Sequence, residues 1–212
     1  MGKVSTALGK DIGKKTVAIA GLGSLGTKLA EDFARMGVKL RIVDMGRVEP
    51  EDLETMSLFV PGEETKFKAK EAKKHLEEIN PKASVKCFHE QLKDSNVFLL
   101  EADVIIDCTQ DWEASSLING FCKQKKIPQI YTKLAGSEGI ILANKAAYNS
   151  KKLQPHADKL GTVADKGLLP NTLHMAASIA MTKTLKILTG EKFSNKLYHF
   201  NTWKMTKRES TL

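Results

Sequence analysis

No two cysteines in this sequence are spaced to share a metal ion. There are three, Cys87, Cys108 and Cys122, and none forms a C-x-x-C pair. That excludes the usual structural zinc frame of paired thiolates. An odd count and no signal peptide point to a reducing, cytoplasmic setting rather than a disulfide scaffold. Aromatic residues are scarce at 6%, and no basic stripe is interleaved with them. Nucleic acid is therefore not an expected partner, although Lys+Arg 33 against Asp+Glu 25 gives a formal net charge of +8. The lysines are spread along the chain and read as a solvated surface. No apolar run approaches the ~20 residues that span a bilayer, so no membrane partner is expected either. Internal repeats and low-complexity tracts are absent.

What is present is concentrated in residues 16–44, TVAIAGLGSLGTKLAEDFARMGVKLRIVD. A short apolar run, Val17 to Ala20, meets Gly21, Gly23 and Gly26 in the spacing G-x-G-x-x-G. A helical stripe follows, Leu25, Leu29, Phe33 and Met36, and Gly37 suits its C-terminal cap. A second apolar run, Leu40 to Val43, stops at Asp44. The order is strand, phosphate loop, helix, strand, acid. The first glycine permits a tight turn, the second lets backbone approach a phosphate, and the third lets the helix pack on the strand. The helix start then offers free N–H groups and partial positive charge to an anion. A carboxylate at Asp44 suits ribose hydroxyls. A bound adenine nucleotide is the reading these features support.

The remaining chain alternates in the same way, and 212 residues suit one domain over 1–212. Residues 45–65 read as an irregular connection over the C-terminal edge of the sheet. Residues 66–79 read as a helix whose apolar stripe is Ala72, Leu76 and Ile79. Lys68 falls on that stripe, while Lys66, Lys70, Lys73 and Lys74 face away. An inward lysine needs an anionic partner or a ligand, unless it snorkels past the helix end. Residues 85–88 alternate as a strand, 94–100 suit a short helix, and 102–107 read as a buried parallel strand. That strand ends in Cys108-Thr109-Gln110-Asp111, again at the ligand edge. Cys108 reads as inert core. Asp111 fits the N-cap of the next helix as well as it fits a ligand-facing acid. Strands are expected at 127–132, at 139–143 as an edge, and at 197–203, followed by a polar tail. Residues 144–166 are polar and glycine-punctuated and read as a flexible loop. A long helix opens at Pro170 and closes before Gly190. Its Ala176, Ala177 and Ala180 allow close packing against a partner, and His174 on it reads as structural. The expected fold is α/β: a doubly wound, Rossmann-like, mostly parallel sheet with helices on both faces.

Five stretches together resemble the E1-like superfamily, the ThiF/MoeB/HesA group of ATP-dependent carboxylate-activating enzymes. They are AGLGSLG at 20–26, RIVD at 41–44, FKAKEAKKHLEEINP at 67–81, ADVIIDCT at 102–109, and KGLLPNTLHMAASIAMTKTLKILTG at 166–190. The resemblance implies an adenylation domain that binds ATP and Mg2+. It places the phosphates on Gly21, Gly23, Ser24, Leu25 and Gly26, the ribose on Asp44, and Lys68 on the phosphates as a catalytic residue. Thr109 and Gln110 fall beside the nucleotide, and Asp111 is the acid nearest the family's catalytic, magnesium-holding aspartate.

The departures from the family pattern are specific. Where the family reads Asn-Leu-x-Arg-Gln, this chain has Asp52-Leu53-Glu54-Thr55-Met56. After Asp-Cys-Thr it has Gln110-Asp111 in place of Asp-Asn, and Ser115 stands for a helix arginine. The zinc cysteines, the thioester cysteine of the mobile loop and an N-terminal arginine lent to the partner subunit are all missing. One small, zinc-free family member without that cysteine adenylates the carboxylate of the guanylylpyridinol precursor of the iron–guanylylpyridinol (FeGP) cofactor of [Fe]-hydrogenase, and the chain resembles it. The resemblance implies a small-molecule carboxylate substrate, a homodimer, and hand-over of the adenylate to an acceptor protein. Two other readings stand beside it. One is a NAD-dependent oxidoreductase, in which Lys68 has no ready role. The other is an inactive nucleotide-binding scaffold, which Thr55 and Gln110 favour.

Overall fold

The computed structural model describes residues 3–212. After helix α1 (Lys3–Leu8), strand β1 (Thr16–Ala20) enters the centre of the sheet, buried from Val17 onward. Helix α2 (Ser24–Arg35) follows with Leu25, Leu29 and Phe33 buried on one face. It ends as its glycine suggests: Gly37 takes φ 76°, and Gly37 N and Val38 N donate to Ala34 O and Phe33 O. Strand β2 (Lys39–Val43), helix α3 (Lys68–Ile79), strand β3 (Val85–Phe88) and strand β4 (Val104–Asp107) come next. Helix α4 (Trp112–Lys125) leads to β5 (Gln129–Ala135) and β6 (Glu138–Asn144). Helices α5 (Ser150–Leu160), α6 (Val163–Lys166) and α7 (Pro170–Thr189) precede the final strands β7 (Leu197–Asn201) and β8 (Thr206–Ser210).

The eight strands form one sheet in the order β3-β2-β1-β4-β5-β6-β7-β8. The first five are parallel, and β6, β7 and β8 are joined antiparallel. Helices α2, α3 and α7 cover one face, and α4 and α5 the other. The sheet is doubly wound. Its strand order reverses between β1 and β4, which opens a crevice at their C-terminal ends.

Five stretches differ from expectation. Strand β6 is not an edge; it lies between β5 and β7 and is buried from Gly139 to Ala143. The polar tail supplies the real edge as β8, whose residues from Thr206 to Glu209 are exposed and charged enough to discourage further pairing. Residues 144–166 carry α5 and α6 rather than an irregular loop. Leu153, Ala157 and Leu160 at i, i+4, i+7 bury one face, and the Asn149 side chain caps the start. A proline inside a helix usually breaks it, and Pro155 lies within α5. Here Pro155 and Lys151, four residues before it, are both exposed, so water can take the freed carbonyl. In the 94–100 stretch only a 3-10 turn forms, over Val97–Leu100. Finally, Ala176, Ala177 and Ala180 are buried in this chain's own core, so their small size serves α7 against the sheet and not a partner.

Candidate active site

The loop after β1 treats its three glycines differently. Gly21 has φ 89°, and a Cβ there would stand 2.8 Å from the carbonyl carbon and oxygen of Cys108. The turn is pressed against the end of β4. At Gly26 a Cβ would stand 1.9 Å from the Gly21 carbonyl oxygen, so α2 starts where only glycine fits. Gly23 is the reverse case, with nothing within 4 Å of its Cβ position. It is also the N-cap of α2, where no side chain caps the helix and no acid stands in the first turn. The loop is sealed on two sides and open at the helix end that attracts anions. Leu25 is buried, so its side chain belongs to the core.

Asp44 closes β2 and organises the backbone around the loop. Its Oδ2 accepts from Leu22 N and its Oδ1 from Gly46 N, both at 2.6 Å. A carboxylate has about four lone-pair sites, so acceptor capacity remains for ribose hydroxyls. The connection between β2 and α3 then folds back over the loop. A 3-10 turn at Pro50–Glu54 is fixed by a reciprocal capping box between Glu49 and Asp52. It brings Thr55 onto the glycine loop, where Thr55 Oγ1 and Ser24 Oγ lie 2.7 Å apart.

Lys68 is the first residue of α3, and its inward orientation is visible in the structure. Its side chain is 14% exposed and pairs with Asp52, Nζ to Oδ2 at 2.7 Å. Its Cδ and Cε run alongside Gly46, the residue held by Asp44. The anion that satisfies Lys68 is thus a protein carboxylate, one that the spacing argument did not identify. Among the lysines assigned to water, Lys70 rests on the Phe67 ring at 4.9 Å, and Lys74 is exposed.

The strand-end turn after β4 divides its work. Asp107 is fully buried; its Oδ1 accepts from Thr109 N at 3.0 Å and Thr109 Oγ1 at 2.7 Å, while among the described residues Oδ2 has no hydrogen-bond partner. Burial pushes its carboxyl up, and the Ser115 and Thr109 hydroxyls pull it part of the way back. Cys108 is buried and its thiol is pushed up to about 12 by burial and the neighbouring Asp107, which leaves it chemically inert. Gln110 takes φ 59° and turns to β5, donating to Thr132 O at 3.4 Å and accepting from Leu134 N at 3.1 Å. Its amide extends the β4–β5 pairing. Asp111 is the N-cap of α4: Oδ1 accepts from Glu113 N at 2.7 Å and Ala114 N at 3.1 Å. Both bonds end on one oxygen, which leaves Oδ2 outside the cap.

Two cavities flank this core. One of about 440 Å³ is lined by Gly21, Asp44, Thr109 and Asp111, with the 90–94 segment and Leu117 opposite. Residues 90–94 carry no motif, and only the sheet topology brings them here. A second, of about 220 Å³, lies between Thr55 and the start of α7, where His174 is exposed. Among the described residues no helix is long and apolar enough to cross a membrane.

The chain is 28% identical over 209 residues to the sulfur carrier protein ThiS adenylyltransferase of Bacillus subtilis, across 94% of this chain and 62% of that relative. It is 26% identical over 210 residues to the vegetative HesA protein of Trichormus variabilis, across 92% and 77%. It therefore spans about three fifths of the first relative's length. Among solved structures, E. coli MccB with AMPCPP and MccA superposes with a TM-score of 0.80 at 17% identity, over 97% of this chain and 66% of MccB. PaaA superposes with a TM-score of 0.76 at 22% identity. These likenesses are of fold. The ThiF family model matches residues 1–212, and the chain belongs to the ThiF family.

Proposed function

We propose that this chain activates a carboxylate with ATP. A carboxylate oxygen of the substrate attacks the α-phosphorus, the bond from that phosphorus to the bridging oxygen breaks, and pyrophosphate leaves with an acyl adenylate formed. The observation that carries the reading is the open position at Gly23 on an uncapped helix N-terminus, between Asp44 and Thr55. In this reading the loop amides and the start of α2 hold the phosphates, and Asp44 takes the ribose. Lys68 leaves Asp52 to neutralise charge that grows on the departing pyrophosphate. Thr109 and the 90–94 segment border the nucleotide. Asp111 suits a magnesium ion, which is held by one or two carboxylates together with substrate phosphates. One of its oxygens is spare and the residue lines the cavity. A bound magnesium would supply charge neutralisation on the phosphates.

The substrate in this reading is a small-molecule carboxylate, first the guanylylpyridinol precursor of the FeGP cofactor, as for the HcgE-type member of the family. The adenylate passes to an acceptor protein, since the residues after β6 contain no cysteine to take it. A homodimer and a cytoplasmic location belong to the same reading. The test is pyrophosphate release, with the pyridinol carboxylate and with the C-terminal carboxylate of a ThiS-type carrier as parallel arms. Release with the pyridinol supports the full reading, and release with the carrier alone keeps the activity and replaces the substrate. A scaffold that binds nucleotide without turnover is the second reading. It is favoured by the Lys68–Asp52 pair and by Thr55 in the family's arginine position. ATP binding with no release in either arm selects it. Reduced-nicotinamide fluorescence on binding would instead select an oxidoreductase.

A further inference from the structure

Three metal-ligand side chains meet where the connection before α3 packs on that helix, and none of them lines the 440 Å³ cavity. One ligand atom each from Glu63, Glu71 and His75 lies within 4.8 Å of the other two. Glu71 and His75 are four residues apart on α3, which places them one turn apart on one face. Glu63 arrives from the connection before the helix and is only 4% exposed. Its Oε2 accepts from Val60 N at 3.2 Å, and its Oε1 stands 2.8 Å from His75 Nε2. His75 Nδ1 stands 3.2 Å from Glu78 Oε2. Among the described residues Glu71 Oε2 is buried with no hydrogen-bond partner, and Lys66 Nζ pairs with it at 3.8 Å.

Lys66 and a protonated His75 offset the charge of Glu71 and Glu63, but Lys66 stands too far from Glu71 Oε2 to hydrogen-bond it. Two largely buried carboxylates converge on one imidazole, and one buried oxygen has no donor. A protonated His75 neutralises one carboxylate and still leaves Glu71 Oε2 without a hydrogen bond. A divalent cation neutralises both and takes that oxygen as a ligand. Imidazole nitrogen and carboxylate oxygens suit Zn2+ at about 2.0–2.2 Å, which sets tetrahedral donors roughly 3.3 Å apart. The His75–Glu78 contact supplies the outer carboxylate that commonly orients a metal-bound histidine.

We propose that Glu63, Glu71 and His75 form a site for one divalent transition-metal ion, of which Zn2+ is the reference. Glu78 orients His75, and water completes the coordination. The ion would tie residues 60–66 to α3, whose first residue is Lys68. The proposal stands apart from the adenylation reading and is tested without turnover.

The experiment uses the full chain, stripped with chelator and titrated with Zn2+ by calorimetry and by thermal melting. One equivalent should bind, with a rise in melting temperature of several degrees. Glu78→Gln should weaken binding about tenfold, the scale of an outer-shell partner, and Glu71→Gln should weaken it more. Bound Co2+ should show visible bands of nitrogen and oxygen coordination that vanish in His75→Ala. His156→Ala, outside the cluster, should bind as wild type. Glu71→Gln is nearly isosteric, and its metal-free melt reports directly whether it folds. Binding unchanged in Glu71→Gln, or no binding to wild type below about 100 µM Zn2+, overturns the site and leaves a Glu–His–Glu ion cluster.

Discussion

Ser24 Oγ and Thr55 Oγ1 share a hydrogen bond of 2.7 Å, which ties the glycine loop to the connection that folds over it. The pair is partly buried, and each hydroxyl would otherwise need water or ligand. Thr55→Val keeps the shape and removes the bond. It should cost about 0.5–1.5 kcal/mol of stability in urea unfolding, the net scale of one neutral hydrogen bond. A loss above that range would mean that Thr55 holds more of the loop than Ser24.

Lys68→Ala tests the catalytic assignment. The loss should fall on turnover, because charge on the leaving pyrophosphate grows in the transition state. Pyrophosphate release should slow about 10²-fold or more. Lys74→Ala is a cleaner control than Lys70→Ala, since Lys70 already contacts a ring. Equal, full activity in the Lys68 and Lys74 variants would remove Lys68 from the mechanism.

The three loop glycines should separate folding from binding. Gly26→Ala places a methyl 1.9 Å from a carbonyl oxygen and should unfold the domain or cost several kcal/mol. Gly23→Ala meets nothing, so its melt should stay within about 0.5 kcal/mol of wild type while ATP binding drops, as followed by calorimetry. Full ATP affinity in Gly23→Ala would place the phosphates elsewhere.

Asp44→Ala should weaken ATP binding by about 1–3 kcal/mol, the cost of losing a charged acceptor. It should also destabilise the free protein, because Leu22 N and Gly46 N lose their shared acceptor. Unchanged ATP affinity in a folded variant would reject the ribose role.

Asp107 carries a pH signature. Its folded carboxyl is raised above the ordinary value of 3.8, chiefly by burial. A raised folded pKa means the native state holds the proton more tightly. Its contribution is therefore full below the ordinary value and lost as pH rises through the folded value. Asp107→Asn lacks this loss. The difference in melting temperature, variant minus wild type, should grow in the variant's favour from pH 4 towards neutrality. A flat difference would mean the carboxyl is not strained by burial.

The opening βαβ unit was legible from local spacing alone. Apolar strand runs, the glycine triplet, the Leu29–Phe33 stripe and Gly37 each act on neighbours within a few residues, so the sequence determines them directly. The long α7 was legible for the same reason, through Pro170 at its start and Gly190 at its cap. The inward aim of Lys68 followed from helix periodicity, but its partner Asp52 did not, because the capping box that positions Asp52 lies sixteen residues upstream on another element. The orientation of Gln110 toward β5 and the approach of the 90–94 segment to Asp44 depend on which strands become neighbours. Strand β6 read as an edge because nothing local announces that the polar tail returns as β8 to extend the sheet beyond β7. Long-range pairing decides those contacts, and a pattern confined to one segment carries no record of its partner across the sheet.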